Sequence, residues 1–332
     1  MQQEVRAFWV TAPGRGEIRT ERLAIPVDGE VVVRTVYSGV SRGTEALVFG
    51  GHVPETEWQR MRAPFQDGDF PAPVKYGYAS VGTVEHGPPE LVGRSVFALY
   101  PHQTRYVVPT TAIHVLPDTL PPARAVLAAN METAINGLWD ARPHVGDRIA
   151  VVGAGTVGCL TAWLASRIAG CRVQLVDINP KRAETAAALG VEFADAEQAA
   201  QDADVVVHTS GSPEGLQQAL TLAGFETTIT ELSWFADKRV SLPLGAAFHA
   251  RRLILASSQV GTIPAAQRAR WNTTRRMQLA LDLLDDAVLD VLITGESAFE
   301  TLPGLMATLT AAPGETLCHR IRYETSDVPS AG

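Results

Sequence analysis

The stretch DRIAVVGAGTVGCLTAWLASRIAG, residues 147–170, constrains the fold of this chain more than any other. Its first part is an apolar run typical of a buried strand, and its last part has the composition of a helix. Gly153, Gly155 and Gly158 lie between them, where glycine permits a tight turn and a close backbone approach to a pyrophosphate. The following helix N-terminus favours the negative charge. We therefore predict that this turn, including Thr156 and Val157, binds a dinucleotide.

The next strand pattern, RVQLVDIN, ends in Asp177, nineteen residues after Gly158. A carboxylate there can accept hydrogen bonds from the adenine-ribose hydroxyls and repel a 2′-phosphate, so we expect NAD rather than NADP. Lys181 and Arg182 keep NADP open, because a flexible cation can pair with a phosphate, and we include Arg182 in the cofactor site. We also assign Ser210, at the end of DVVVHTSG, to cofactor binding. The alternative is a glycine turn that only packs helix on strand, with Asp177 starting a helix.

Strand and helix patterns alternate from about residue 131, whereas residues 1–130 contain short Val-rich runs broken by Gly and Pro. Such alternation implies a parallel sheet covered on both faces, and one helix of the series is predicted at AEQAAQDA, residues 196–203. The run LCHRIRYE near the end indicates a strand without a partner in that sheet, so the chain is expected to return to its first domain. We assign residues 131–256 to a nucleotide-binding domain, and residues 1–130 with 257–332 to a catalytic domain.

Composition and charge exclude several classes of function. The 332-residue chain has a net charge of −8, whereas nucleic-acid binding needs clustered Lys and Arg, so we expect no nucleic-acid partner. No apolar run reaches the length of a membrane span, and the first residues lack a signal pattern. Cys159, Cys171 and Cys318 lie too far apart in sequence for a four-cysteine zinc site and are consistent with a reducing cytoplasm, where we place the protein.

Several motifs resemble those of the medium-chain dehydrogenase/reductase superfamily, the alcohol dehydrogenase type. YSGVSRGTE (37–45) is similar to that family's Gly-[Ile/Val]-Cys-x-x-[Asp/Glu] motif, and KYGYASVGTV (75–84) is similar to its Gly-His-Glu-x-x-Gly-x-Val motif. GRSVFAL, VVGAGTVG and LVDINPKRAETAAALG resemble its later landmarks. The resemblance covers nearly the whole chain. It implies an α/β fold with a GroES-like β domain plus a Rossmann doubly wound parallel-sheet domain, a substrate in the interdomain cleft, and a homodimer.

The sequence departs from the family's zinc ligands. Ser41 occupies the Cys position, Tyr78 the His position, and Ala79 replaces the Glu, while Ala129 aligns best with the third ligand. Zinc prefers Cys, His and carboxylate ligands, so these residues do not make an ordinary zinc site. The chain therefore resembles a zinc-independent branch, and we expect no metal.

Without zinc, a proton donor must stabilise charge on the substrate oxygen. Tyr78 is the leading candidate, because the resemblance places it where a metal ligand would face the nicotinamide. The alternative is a tyrosine that fills the space of the absent zinc. Ser41, Thr44 and Glu45 form a second cluster, in which Glu45 is either a proton relay or an acceptor that orders its own turn.

Three further residues are assigned by resemblance or by composition. Arg42 aligns with a position that meets the cofactor pyrophosphate in related dehydrogenases, and Thr133 resembles a threonine beside the nicotinamide. Glu132 lies in an apolar run and is either a general base or an ion-pair partner. Two segments could cover a substrate. The aromatic residues of the first would cover a flat substrate or only pack their own loop, and the arginines of the second would bind an anion or only form a solvated helix face. These residues are Trp58, Met61 and Phe65 in the first segment and Arg268, Arg270, Trp271, Arg275 and Arg276 in the second.

Three functional hypotheses follow. The first is an NAD(H)-dependent, zinc-free oxidoreductase that acts on an alcohol/carbonyl pair or a conjugated small molecule. The second is a non-catalytic nucleotide-binding protein, and the third is an enzyme with a metal held by unusual ligands such as Glu45 and His52. For the homodimer, the segment TTITELSWF (227–235) is the predicted edge strand, because an exposed edge invites pairing across a two-fold axis.

Overall fold

The computed structural model of the chain describes residues 3–312 and 314–324, and the tail TSDVPSAG (325–332), which its sequence suggests is loose, lies outside them. The strands are β1 Glu4–Ala12, β2 Arg15–Arg22, β3 Glu30–Val40, β4 Asp67–Gly68, β5 Val74–Lys75, β6 Ser80–His86, β7 Ser95–Ala98, β8 Arg105–Pro109, β9 Ile113–Val115, β10 Arg148–Val152, β11 Arg172–Asp177, β12 Glu192–Asp195, β13 Val205–His208, β14 Thr228–Glu231, β15 Ile254–Ser257, β16 Ile293–Ala298 and β17 Cys318–Arg322. The α-helices are α1 Arg42–Phe49, α2 Pro122–Ala125, α3 Ala128–Ala141, α4 Thr156–Ala165, α5 Arg182–Ala188, α6 Pro213–Leu222, α7 Thr273–Leu283 and α8 Leu302–Ala311.

The chain divides into two compact units. Unit 1 comprises residues 1–128 and 293–332, and unit 2 comprises residues 129–292. The nucleotide-binding domain predicted from sequence ends instead at residue 256. The difference arises because α7 anchors on α3 through the buried Arg276 and so stays with unit 2.

Unit 1 is built on two sheets. One contains β16-β17-β3-β6-β7-β9 in that order, with β8 also paired to β3, and the other contains β2-β1-β5-β4. Alternate residues of β3 point into the core, where Val31 and Val33 pack against Val84, Val96 and Tyr106. Val32 points to the opposite face and is also buried, packing with Val5 and Leu23, so this part of β3 is covered on both faces.

The C-terminal strand β17 lies inside unit 1. It pairs in parallel with β16 and antiparallel with β3, in a register that sets Arg322 opposite Tyr37 and His319 opposite Val40. The predicted return of LCHRIRYE to a sheet other than the nucleotide-binding one is therefore confirmed.

Unit 2 contains a six-stranded sheet in the order β12-β11-β10-β13-β14-β15, and every neighbouring pair is parallel. The buried strands are rich in Val, and α6 contributes Leu216, Leu220 and Leu222 to the core on one face. The parallel sheet predicted from strand and helix alternation is confirmed. The helix predicted at residues 196–203 is wrong, because that segment is a turn. The Gln174 side chain hydrogen-bonds the backbone of Ala200. Its Oε1 accepts from the Ala200 nitrogen at 2.9 Å, and its Nε2 donates to the Ala200 carbonyl at 2.6 Å, which holds this backbone in a non-helical conformation.

The expected edge strand is also wrong. The segment 227–235 contains β14, which lies between β13 and β15 and is paired on both sides. The edge on that side is β15, where Ile254 and Leu255 are 55% and 40% exposed. Sequence could not place the edge, because the order of parallel strands depends on how each crossover runs.

Arg276 is one of the largest fully buried side chains of the described chain. Its Nε donates to Glu132 at 3.0 Å, its Nη1 donates to Asn136, and its Nη2 donates to the Val260 carbonyl at 2.6 Å. Burial raises the pKa of Glu132, and the Arg276 charge opposes that shift. The pair therefore holds α7 against α3 in unit 2.

Replacing Arg276 with methionine should lower the free energy of unfolding by about 3–5 kcal/mol, because the Glu132 carboxylate would remain buried without its cation. Arg275→Met is the matched control. This neighbouring arginine is exposed, stacking on the Trp271 ring at 3.9 Å. Urea unfolding followed by fluorescence measures both variants. Equal midpoints for the two would contradict the assignment.

Candidate functional site

The glycine-rich turn of unit 2 admits no side chain at two positions. Gly153 has φ +107°, and a Cβ there would lie 2.6 Å from the backbone nitrogen of Ser210. A Cβ on Gly158 would lie 1.8 Å from the carbonyl oxygen of Gly153. Gly155 caps the N-terminus of α4, and a Cβ there would meet no atom within 4 Å. The turn thus leaves open space before a helix N-terminus that starts with Thr156, which suits a pyrophosphate.

Asp177 closes this turn from the neighbouring strand. Its Oδ2 accepts a hydrogen bond from the Ala154 backbone nitrogen at 2.6 Å, and its Oδ1 accepts one from Asn179 at 2.8 Å. Each carboxylate oxygen can accept a second hydrogen bond. Of the two basic residues that follow, Lys181 is exposed and Arg182 is buried. Burial raises the pKa of the Cys159 thiol to about 12, and the Arg182 charge opposes that shift.

Ser210 belongs to a polar chain that sequence reasoning missed. Its hydroxyl lies 2.6 Å from Nε2 of His208, and Nδ1 of His208 lies 2.7 Å from the Glu231 carboxylate. His208 is fully buried, and its ring stacks on Phe235. The Ser210 oxygen also accepts a hydrogen bond from the Ser212 backbone nitrogen at 3.2 Å. The chain from Glu231 through His208 therefore fixes the loop between β13 and α6.

Thr133 and Arg42 are placed on helices. The Thr133 hydroxyl donates to the carbonyl of Ala129 at 2.9 Å, one turn back in α3 of unit 2. Arg42 is the first residue of α1 in unit 1 and is half-buried. Val157 is half-buried in the first turn of α4. Glu132 is held by Arg276 as described above.

Tyr78 lies in unit 1 between β5 and β6. Its hydroxyl makes hydrogen bonds with the side chains of Ser41 and Thr44. Burial raises the pKa of Tyr78 to about 12, and the Glu45 carboxylate adds to the shift. The phenol therefore keeps its proton at neutral pH. The predicted cluster of Ser41, Thr44 and Glu45 thus lies together around Tyr78.

Glu45 is buried in the first turn of α1 and both of its oxygens are engaged. Oε1 accepts from the backbone nitrogen of Ser41 at 2.8 Å, and Oε2 lies 2.8 Å from Nε2 of His102. His102 is also buried, 57 positions away in the chain. The sequence offered only a lone histidine at this position, so its partner was not foreseen. His52, by contrast, is exposed on the loop after α1.

The donors near Tyr78 do not fit a zinc ion. The Tyr78 hydroxyl is shared with Ser41 and Thr44, and the Glu45 carboxylate is held by His102. Burial raises the pKa of the Cys318 thiol to about 12, with a further rise from Glu45, so this thiol is not a ready thiolate. Across residues 3–312 and 314–324, no three His, Cys, Asp or Glu side chains converge in a set that could hold a metal.

The two segments proposed to cover a substrate are largely used locally. The Trp58 Nε1 donates to the Val53 carbonyl at 3.0 Å, which folds the loop onto itself. Phe65 remains 40% exposed and packs on Tyr100 with ring centroids 5.4 Å apart. In the second segment the arginines do not converge, since Arg276 is buried in its ion pair and Arg268 donates to the Ile263 carbonyl.

Within the described part of the chain, no helix is long and apolar enough to cross a bilayer.

Comparison with known proteins identifies relatives of this chain. Residues 127–221 match the family model described as D-isomer specific 2-hydroxyacid dehydrogenase, NAD binding domain. The chain is 25% identical over 291 residues to D-guloside 3-dehydrogenase of Escherichia coli K12, covering 79% of this chain and 83% of that protein. It is 29% identical over 234 residues to 2-desacetyl-2-hydroxyethyl bacteriochlorophyllide A dehydrogenase of Rhodobacter capsulatus, covering 62% and 68%.

Solved structures share the whole fold. L-idonate 5-dehydrogenase from Escherichia coli K-12 superposes with a TM-score of 0.78 at 13% identity, covering 97% of this chain and 99% of that chain. An alcohol dehydrogenase from Escherichia coli CFT073 in complex with NADH has a TM-score of 0.73 at 17% identity, covering 96% and 98%. The predicted α/β fold class, a GroES-like β domain plus a Rossmann domain, is confirmed.

Proposed function

We propose that this chain, which belongs to the medium-chain dehydrogenase/reductase superfamily of alcohol dehydrogenase-like proteins, transfers hydride between NAD(H) and an alcohol/carbonyl pair without zinc. Its relatives support a dehydrogenase with a nicotinamide cofactor. One observation carries the zinc-free part: the tyrosine at the ligand position is already held by two hydroxyls and keeps its proton. We place the protein in the cytoplasm, with a small-molecule partner.

The two units would divide the work. In unit 2 the turn at Gly153–Gly158 fits a pyrophosphate and Asp177 fits the adenine ribose, while the bound nicotinamide supplies the hydride chemistry. In unit 1 the phenol of Tyr78 would donate a hydrogen bond, then its proton, to the oxygen on which charge develops. A phenol with a pKa of about 12 holds that proton at pH 7, which is the state that carbonyl reduction requires.

The substrate class is suggested by the relatives. Their names refer to dehydrogenation of a guloside and of a hydroxyethyl-bearing pigment, so both act on compounds that carry a hydroxyl group. We propose a hydroxyl/ketone pair, because Tyr78 can protonate an alkoxide. Oxidation of NADH across a panel of sugar-derived and aryl ketones tests this proposal. The rival hypothesis of a non-catalytic nucleotide-binding protein predicts binding of NADH with no turnover.

The preference for NAD over NADP would come from Asp177. Replacing Asp177 with alanine should narrow the difference between the two affinities, because the mutant neither bonds the ribose nor repels a 2′-phosphate. A hydrogen bond to a charged group contributes about 1.5–3 kcal/mol, roughly a tenfold to hundredfold change in Kd. Fluorescence titration with NADH and NADPH gives the ratio of the two dissociation constants. The ratio is the correct readout because Asp177 also hydrogen-bonds the Ala154 backbone, so its loss can weaken the binding of both cofactors. Equal affinities in the unmodified protein would refute the proposal.

Tyr78→Phe keeps the ring and removes only the hydroxyl. If the phenol is the donor, turnover should fall by about a hundredfold, the usual scale for a lost general acid, while NADH affinity stays the same. The matched control is Tyr100→Phe, which removes the hydroxyl of a tyrosine in the same unit whose ring stacks on Tyr106.

Unchanged turnover in Tyr78→Phe would leave Tyr78 as a packing residue. Elemental analysis of the purified protein gives an independent check on the metal-free site. One equivalent of zinc per chain would contradict it and would revive the hypothesis of unusual ligands.

The homodimer is proposed to form through β15, the exposed edge of the parallel sheet, rather than through β14. Light scattering should give twice the chain mass of 35.6 kDa. Ile254→Lys should shift the protein to the monomer, because a charge on an edge strand opposes strand pairing. Val145→Lys is the control, since Val145 is exposed in unit 2 but is not part of a strand. A monomer mass for the unmodified protein at micromolar concentration would contradict the proposal.

A further inference from the structure

A continuous row of polar groups crosses the interior of unit 1. Starting from the Glu45 carboxylate, His102 Nε2 lies at 2.8 Å, and His102 Nδ1 lies 2.7 Å from the Ser38 hydroxyl. The Ser38 hydroxyl in turn lies 2.9 Å from the hydroxyl of Tyr323. All four residues are buried, none being more than 4% exposed. Every distance is that of a good hydrogen bond.

The donors in this row point in one direction. An ionised Glu45 accepts only, so His102 must carry its proton on Nε2 and donate it to Glu45. Nδ1 of the neutral ring is then an acceptor, and Ser38 must donate to it. The oxygen of Ser38 accepts from Tyr323, whose hydroxyl is therefore the outermost donor.

The inner end of the row lies beside the proposed proton donor. Glu45 is on the same helical turn as Ser41 and Thr44, the residues whose hydroxyls hold the Tyr78 phenol. The Glu45 charge acts on that phenol strongly enough to raise its pKa. Glu45 Oε1 also accepts from the Ser41 backbone nitrogen at 2.8 Å, so the carboxylate lies next to a residue whose side chain bonds the phenol.

The outer end lies at a pocket. Tyr323 is among the residues that line a cavity of about 280 Å³, together with Arg6, Thr104 and Glu300. Arg6 and Glu300 form an ion pair and are 46% and 39% exposed, so this cavity opens to solvent. Tyr323 is therefore the residue of the row that borders space open to solvent.

We propose that Tyr323, Ser38, His102 and Glu45 form a proton relay that restores the proton of Tyr78 after each hydride transfer. The inference rests on the proposed function, since it supplies the proton that carbonyl reduction consumes. The tyrosine oxygen accepts a proton from cavity water and passes its own to Ser38. Ser38 passes its proton to Nδ1 of His102, and Nε2 releases its proton to Glu45. Glu45 then reprotonates the Tyr78 phenolate through the Ser41 or Thr44 hydroxyl, so one proton enters and one reaches the substrate. The pass leaves the His102 proton on Nδ1, and the row is ready for the next turnover once both hydroxyls have rotated back and the ring proton has returned to Nε2.

The relay residues act through Tyr78 and do not touch the substrate. Tyr323→Phe tests the outlet, because it keeps the ring stacked on Phe299 at 4.7 Å and deletes only the outermost donor. Tyr106→Phe is the matched control. Tyr106 is also a buried tyrosine of unit 1 whose hydroxyl donates to a serine, Ser80 at 3.1 Å, but it is outside the relay.

Stopped-flow kinetics with NADH and a reducible ketone separate a relay from a structural role. In the first turnover Tyr78 already carries its proton, so Tyr323→Phe should consume the first equivalent of NADH at the unmodified rate. Later turnovers need resupply and should slow by about tenfold, with an increased solvent deuterium isotope effect. Tyr106→Phe should match the unmodified protein in both phases. Equal slowing of both phases, or no slowing in either, would overturn the relay.

A second measurement does not depend on turnover. Nitrogen NMR of protein labelled in its histidines should show His102 as the Nε2–H tautomer with an acceptor Nδ1. His102→Gln identifies its signals. The opposite tautomer would break the donor order and overturn the relay while leaving the proposed function intact. An unmodified protein that reduces no ketone would instead overturn the proposed function, and the relay with it.

Discussion

The pairing of β17 with β3 is the interaction on which the site of unit 1 depends. It brings the last described strand against a strand near the start of the chain, so that Tyr323 meets Ser38 across 285 positions. The same strand brings Cys318 close enough to Tyr78 to affect the pKa of its phenol. Without this pairing Glu45 and His102 would still bond each other, but the pair would lose its connection through Ser38 to Tyr323 and the cavity.

Two buried carboxylates illustrate two uses of the same chemistry. Glu132 is held by Arg276, whose guanidinium is always charged, so that pair is a fixed anchor inside unit 2. Glu45 is held by His102, a residue that can exchange a proton from either ring nitrogen. The first arrangement gives rigidity and the second gives a path for a proton. The identity of the partner, guanidinium or imidazole, rather than the burial, decides between these roles.

Features that are local in sequence could be predicted, and features assembled from distant strands could not. The glycine turn and Asp177 could be predicted together because they lie within one strand–helix–strand unit, where spacing in sequence determines the distance between them. His102 and Tyr323 could not be assigned from sequence, because their partners Glu45 and Ser38 lie in separate elements. The helix predicted at 196–203 does not form, because the Gln174 side chain bonds this backbone from a neighbouring strand, and no local sequence pattern shows such a contact.

The discontinuity of unit 1 has a consequence for synthesis. Unit 2 is a single stretch of chain and can complete its core while translation continues, since domains fold as units in the order in which they emerge. Unit 1 must wait, because β3 lacks its neighbour until β17 has left the ribosome. During that interval β6 and β8 can already pair with β3, but residues 37–40 lack the partner that β17 will supply. β3, although made early, is thus among the last strands to be fully paired.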